Sequence, residues 1–332
     1  MSTRTFLKAI AVTLLAGSAL LAQQPAFAQA PAPKRVALLV GPTQDKYIGA
    51  WSKAFTEAAA PKGITTTVFS SPFDPALQAQ QVDDALAQKF DMLVVQTISQ
   101  KAIVPALTRA KAAKVPVVLI ISEFPGNESA DLYQSYIGTN SGRLGELAGE
   151  AIGKAMTASG RPNARIAAIT GSMAEGIAPM RMDGMKRALA RYPGIQIVAV
   201  EDVKWNPAQA ERTAGQVLAR FGAQGGLDGI YGMNDSLANG AIQAALAAGV
   251  KLGAEKGALT VVGGNCQAPG VKNLQEGRMA ASVRMIPAEE ARLAAARIRD
   301  FFDGKTLEKR HYIEHEIITQ ANLVKTAADC SY

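Results

Sequence analysis

What most constrains this chain is a rhythm in which short, unbroken apolar runs alternate with longer stretches of helical period. Arg35-Val36-Ala37-Leu38-Leu39-Val40 opens the series and stops at Gly41-Pro42. A run that is apolar at every position, not at every second one, reads as a strand covered on both faces. A helix is expected over 47–60, closed by Pro61-Lys62-Gly63, with further strands over 64–69, 91–96, 115–121 and 135–138. The rhythm then restarts, with strands over 165–170, 195–201, 229–231, 259–262 and 280–285 and helices over 141–158, 177–191, 207–221, 235–248 and 287–303. Strand, helix and strand in this order mean parallel sheets clad in helices.

The strands are too many for one open sheet, and 332 residues are long for one domain. The expected fold class is therefore α/β, with two doubly wound parallel-sheet domains and a break near Gly138-Thr139-Asn140. Arg310 to Thr319 alternates polar and apolar residues and predicts a final strand pair. Open parallel sheets bind ligands at the carboxyl ends of their strands, so two such sheets facing each other would hold a ligand in the cleft between them.

Residues 1–28 have the layout of an export signal: Arg4 and Lys8 give a positive start, Ala9 to Ala22 is apolar, and Ala26-Phe27-Ala28 suits cleavage after Ala28. The apolar run is shorter than the ~20 residues a spanning helix needs. No cysteine follows it to accept a lipid, so a soluble periplasmic protein is expected. Losing Arg4 and Lys8 lowers the formal charge from +7 to +5. The remaining basic residues are scattered among acids without interleaved aromatics, which argues against nucleic acid as a partner.

The inventory for catalysis is poor. The two histidines, His311 and His315, fall in His-Tyr-Ile-Glu-His, a zinc-peptidase pattern that requires a helix; this segment alternates like a strand, so no metal is expected. Gly304-Lys305-Thr306 lacks the upstream glycine of a phosphate loop, because that position holds Arg299. Neither a dinucleotide fingerprint after the first strand nor a Gly-x-Ser-x-Gly elbow is present. No cofactor is expected.

The polar and aromatic residues just after the strands are the candidates instead. They are Asp45, Tyr47 and Trp51 after the first strand, Ser122 and Glu123 after the fourth, and Arg181 beyond the loop Gly171 to Gly176. Trp205, Asn234 and Asn265 follow later strands. Aromatic faces, amides and a guanidinium fork suit a polyhydroxylated ligand. Cys266 and Cys330 both lie in the exported part, and an oxidising compartment permits a disulfide between them; two unrelated thiols are the alternative.

Val36 to Trp51, Asp91 to Glu123, Arg181-Met182-Asp183-Gly184, Gly232-Met233-Asn234-Asp235 and Val261 to Asn265 together make the chain resemble the ribose- and galactose-type periplasmic binding proteins, over essentially all of its exported length. The resemblance implies that Arg181 and Asn234 hold ligand hydroxyls, that Trp205 stacks on the solute, and that Asp45 and Tyr47 present contacts from the first loop. It implies an N-terminal lobe of 34–139 plus 287–317, a C-terminal lobe of 140–286 plus 318–332, and a three-strand hinge. Departures are Ser122-Glu123 where sugar binders carry Asp-Arg, Asn265 where they carry aspartate, and Met285 before the last hinge. The implied function is a monomeric solute-binding component of an ABC importer, not an enzyme. It would bind a sugar, polyol or similar small neutral solute by hinge closure and dock on a membrane permease. A hydrolase using Asp45 and Glu123, or a sensory module for a membrane receptor, are the alternatives.

Overall fold

The computed structural model describes residues 32–332 apart from Glu128, Glu175 and Ser331. The expected export signal and its cleavage point lie outside the described residues. The first half runs β1 (Lys34–Val40), α1 (Lys46–Ala59), β2 (Ile64–Ser70), α2 (Pro75–Ala87), β3 (Met92–Val95), α3 (Gln100–Ala112), β4 (Val117–Ile120) and β5 (Ser135–Gly138). The second runs α4 (Ser141–Ala158), β6 (Ala164–Thr170), α5 (Ile177–Leu189), β7 (Ile195–Asp202), α6 (Pro207–Gly222), β8 (Gly229–Gly232), α7 (Asp235–Ala247), β9 (Thr260–Val262), α8 (Ala268–Gln275) and β10 (Ser282–Val283). The chain closes with α9 (Pro287–Phe302), β11 (Arg310–Tyr312) and β12 (Ile317–Ile318).

Among the described residues the strands form two parallel sheets, ordered β2-β1-β3-β4-β5-β11 and β7-β6-β8-β9, and an antiparallel pair of β10 with β12. The α/β architecture is thus two doubly wound sheet domains. In each, the first strand lies inside the sheet and the order reverses beside it, between β1 and β3 and between β6 and β8. Those reversals splay the neighbouring loops apart and open a crevice at the strand ends.

The apolar runs divide by parity. Val36, Leu38 and Val40 pack into one core with Trp51 and Phe55 of α1 and Ala291, Ala295 and Ile298 of α9, while Ala37 and Leu39 pack into another with Val82 of α2 and Ile103 and Leu107 of α3. A strand whose successive side chains point to opposite faces needs apolar residues at every position when helices cover both.

Two expectations need correction. The final strand pair is not a pair: β11 adds to the first sheet beside β5, and β12 pairs with β10. Alternation records which face a residue takes, not which sheet receives it, and here the chain changes sheets between Tyr312 and Ile317. Helix α8 was not anticipated, because its eight residues, with Pro269 and Gly270 in the first turn, carry little periodic signal. The chain passes between the sheets three times: after β5, between β10 and α9, and between β11 and β12.

Candidate functional site

A cavity with about 570 Å³ of atom-free space, part of it continuous with solvent, opens at the strand ends of both sheets. That size suits a small molecule rather than a polymer. Asp45, Tyr47, Ile48, Phe73, Gln96 and Ile121 line it from the first sheet's side, and Ile177, Arg181, Trp205, Asn234, Asn265, Gln267 and Met285 from the other. Asp45 and Gln96 follow β1 and β3, and Arg181 and Asn234 belong to the helices entered from β6 and β8, so both reversal points contribute.

Local structure sets each side chain. Asp45 is the N-cap of α1, its Oδ1 accepting from Tyr47 N at 2.9 Å and Ile48 N at 3.0 Å. Asn234 caps α7 in the same way, Oδ1 accepting from Leu237 N at 2.8 Å. Trp205 is presented by a left-handed turn, φ 49° at Lys204 and 61° at Trp205, and its ring lies so close over Gly171 that a Cβ there would strike the indole. Phe73 (φ 53°), Ile121 (φ 60°) and Asn265 (φ 78°) are also left-handed without being glycine. Such backbone is costly, more so for a β-branched isoleucine, and the surrounding packing must impose it.

Arg181 is 2% exposed. It donates through Nη1 to the Met233 carbonyl at 2.9 Å and Asn265 Oδ1 at 3.1 Å, and through Nη2 toward Met285 Sδ at 3.3 Å. Its guanidinium sits 5.5 Å from the Trp205 ring centroid. No carboxylate among the described residues pairs with it, and burial lowers its pKa, a shift the surrounding tyrosines oppose. Helix α5 carries Arg181 close against α4 because α4 has glycine at 145, where a Cβ would collide with the Arg181 carbonyl.

Of the ten expected ligand contacts, seven line the cavity: Asp45, Tyr47, Arg181, Trp205, Asn234, Asn265 and Met285. The other three do not. Trp51 is fully buried and stacks on Phe55 with ring centroids 5.1 Å apart, because α9 closes over that turn of α1. Ser122 is fully buried. Glu123 is 4% exposed and faces away: it accepts from Arg310 Nε and, at 3.0 Å, from the Tyr312 hydroxyl, tying the loop after β4 to β11. That arrangement separates Asp45 from Glu123 and leaves no carboxylate pair at the cavity.

Sequence reasoning missed Phe73 and Gln96, although both stand at the ends of strands, where the same rule would have found them. It also missed the groups behind the wall. Glu290 of α9 is fully buried and accepts from the Tyr47 hydroxyl; burial raises its carboxyl to about 7, against the pull of its hydrogen-bonding neighbours, Tyr47 foremost. Tyr332 packs edge-on to Tyr47 at 5.9 Å and donates to the carbonyls of Asn265 at 2.7 Å and Met285 at 3.1 Å. Two positions before Tyr332, Cys330 is disulfide-bonded to Cys266, with Cα atoms 4.9 Å apart. Below Asn234, the buried Asp235 carboxyl accepts from Ser282 Oγ at 2.8 Å and Gln267 N at 2.8 Å, and burial raises it to about 7.

Comparison with known proteins bears on the family and the fold. The chain is 25% identical over 268 residues to a putative rhizopine-binding protein of Rhizobium meliloti, covering 79% of this chain and 82% of that one. It is 22% identical over 293 residues to the ribose import binding protein of Haemophilus influenzae, covering 88% and 93%. The crystal structure of a galactofuranose binding protein superposes with a TM-score of 0.81 at 19% identity, over 89% of this chain and 98% of the other, which shows the shared fold. Residues 36–306 match the family described as periplasmic binding protein domain, and to that family the chain belongs.

Proposed function

We propose that the protein is the exported solute-binding component of an ABC importer, taking up a sugar- or polyol-like small molecule in the cavity between its two sheets. The observation that carries this reading is the cavity itself: its polar and aromatic walls come from the strand ends of both sheets, and a ligand there touches both. Relatives whose names specify ribose import, D-apiose import and xylitol binding support the ligand class.

The lobes would be 34–139 with 287–317, and 140–286 with 318–332, rotating about the three connections between the sheets. A ligand stabilises the closed arrangement because only there does it contact both walls at once. Asp45, Tyr47 and Gln96 would act from one lobe and Arg181, Trp205, Asn234, Asn265 and Met285 from the other. The protein would act as a monomer in the periplasm after cleavage behind Ala28, and the closed pair of lobes would present a composite surface to the permease. Glu123, held by Arg310 and Tyr312, is not free to share acid–base work with Asp45, so the chain would release its solute unchanged.

A thermal-shift screen against pentoses, hexoses, polyols and their acids tests this, because a ligand that binds only the native state raises the melting temperature. A shift abolished in R181A and W205A, with both variants still folded, is expected. Absence of any shift across the panel, together with cleavage of a chromogenic glycoside or ester, would overturn the reading.

A further inference from the structure

The amide side chains that line the cavity all turn the same way. Gln96 Oε1 accepts from Gly41 N at 3.0 Å, and Asn234 Oδ1 from Leu237 N at 2.8 Å. Gln267 Oε1 accepts from Ser236 N at 3.0 Å, and Asn265 Oδ1 from Arg181 Nη1 at 3.1 Å. Each oxygen faces a main-chain N–H or a guanidinium N–H, groups that can only donate, with the Ser236 hydroxyl a second donor to Gln267 Oε1 at 2.9 Å, so the oxygen and nitrogen ends of all four amides are fixed by chemistry. In every case the NH2 end makes no hydrogen bond among the described residues, so the end each amide has to offer a ligand in the cavity is the donor. Arg181 adds to the same side of the balance: its buried Nε–H has no partner.

Acceptors are scarce by comparison. Among the described lining side chains they are the second oxygen of Asp45, whose first oxygen caps α1, the oxygen of Tyr47, whose hydroxyl hydrogen goes to Glu290, and one further lone pair on each amide oxygen of Gln96, Asn234 and Asn265, which already faces its N–H donor. The Met285 sulfur already faces Arg181. A sugar hydroxyl buried among donors must still place its own hydrogen on an acceptor, and an unplaced one is penalised. A carboxylate has no hydrogen to place: it accepts from several N–H groups at once and makes the stronger, charge-assisted bonds. It would also supply the counter-charge that Arg181 lacks among the described residues.

We propose that the solute carries a carboxylate, and that the site selects a polyhydroxylated acid over the matching neutral sugar or alcohol. This deepens the solute-binding reading above and rests on it.

Calorimetric titration in 0.15 M salt with matched pairs tests the proposal: D-gluconate against D-glucitol and D-galacturonate against D-galactose, beside ribose and myo-inositol. The tightest binder is expected to be an acid, at least tenfold tighter than its neutral partner. A neutral compound that binds tightest, or an acid ahead by less than tenfold, would overturn the acid assignment and leave the solute-binding reading standing. Silence from every compound would overturn the acid assignment, and would take the solute-binding reading with it only if the wider thermal-shift panel is silent too and a chromogenic glycoside or ester is cleaved. Asn265→Asp exchanges a donor for an acceptor beside Arg181 and is expected to cut the acid-to-neutral affinity ratio at least tenfold; an unchanged ratio counts against the donor argument. Gln267→Glu makes the same exchange from the next position but one and serves if the first variant does not fold.

Discussion

His315 Nε2 accepts a hydrogen bond from the Asn140 main-chain N–H at 3.2 Å, while its Nδ1 lies 3.0 Å from the Arg284 carbonyl. A carbonyl cannot donate and an N–H cannot accept, so the ring is neutral with its proton on Nδ1. Asn140 follows β5, Arg284 follows β10 and His315 lies between β11 and β12: one imidazole joins all three connections between the sheets.

Protonation would put a hydrogen on Nε2 facing the Asn140 N–H. Burial holds the His315 pKa below its ordinary 6.5, helped by Arg181 and Arg284 and opposed by Glu289 and by the bond to the Arg284 carbonyl. Because the folded value is the lower one, the stability this residue supplies is complete above pH 6.5 and is lost as the pH falls below it. The difference in melting temperature between the native protein and His315→Gln is expected to shrink on acidification from pH 7.5 to 5. A difference that stays constant would show that the imidazole does not titrate at the connections.

Glu290 and Asp235 act in the opposite sense. Their folded pKa values of about 7 lie above the ordinary 4.5 and 3.8, so the folded protein retains protons that the unfolded chain has lost between about pH 4 and 7. Stability from these groups is full below that window and declines across it. Glu290→Gln keeps an acceptor for the Tyr47 hydroxyl and removes the titration. At pH 8 it is expected to be more stable than the native protein, by on the order of 3 kcal/mol, with little difference at pH 4.5. Equal stabilities at both pH values in chemical denaturation would refute the assignment.

The Cys266–Cys330 bridge closes a loop of 64 residues. Constraint of the unfolded chain on that scale is worth about 4 kcal/mol, so a C266S/C330S double variant should show a clearly lower denaturation midpoint. Because the bridge holds the stretch that brings Tyr332 against Asn265 and Met285, solute affinity should fall with it, as titration calorimetry would register. Preserved affinity would separate the tail from the cavity wall.

Trp51 and Glu123 provide the control for the site. Trp51→Phe should lower stability by about 2 kcal/mol through lost packing and leave affinity for a bound solute within twofold. Glu123→Gln should likewise leave affinity unchanged, whereas Arg181→Ala removes charge-assisted bonds and should cost at least tenfold. Weakened binding in Trp51→Phe without loss of stability would return that ring to the cavity.

The two-sided burial of β1 and the gathering of residues from several strand ends around one cavity were legible because they depend on local pattern and on one general rule about parallel sheets. Trp51 was not. It follows Tyr47 by one helical turn on the same face, and what separates an aromatic in the cavity from one in the core is α9, which arrives from more than 200 residues later. Glu123 was misread for the same reason, since its partners Arg310 and Tyr312 lie at positions 187 and 189 residues away. Tyr332 had no local signal beyond the neighbouring cysteine. Contacts made by a chain that crosses between sheets three times are set by topology, and single-strand patterns do not contain it.

The protein has two tryptophans, one sealed in a core against Phe55 and the other forming a wall of the cavity. A solute taken up in the proposed site would change the surroundings of Trp205 and leave those of Trp51 untouched. The unlabelled protein therefore carries an optical signal and its own internal reference: in Trp51→Phe all indole emission reports occupancy, and in Trp205→Phe none does.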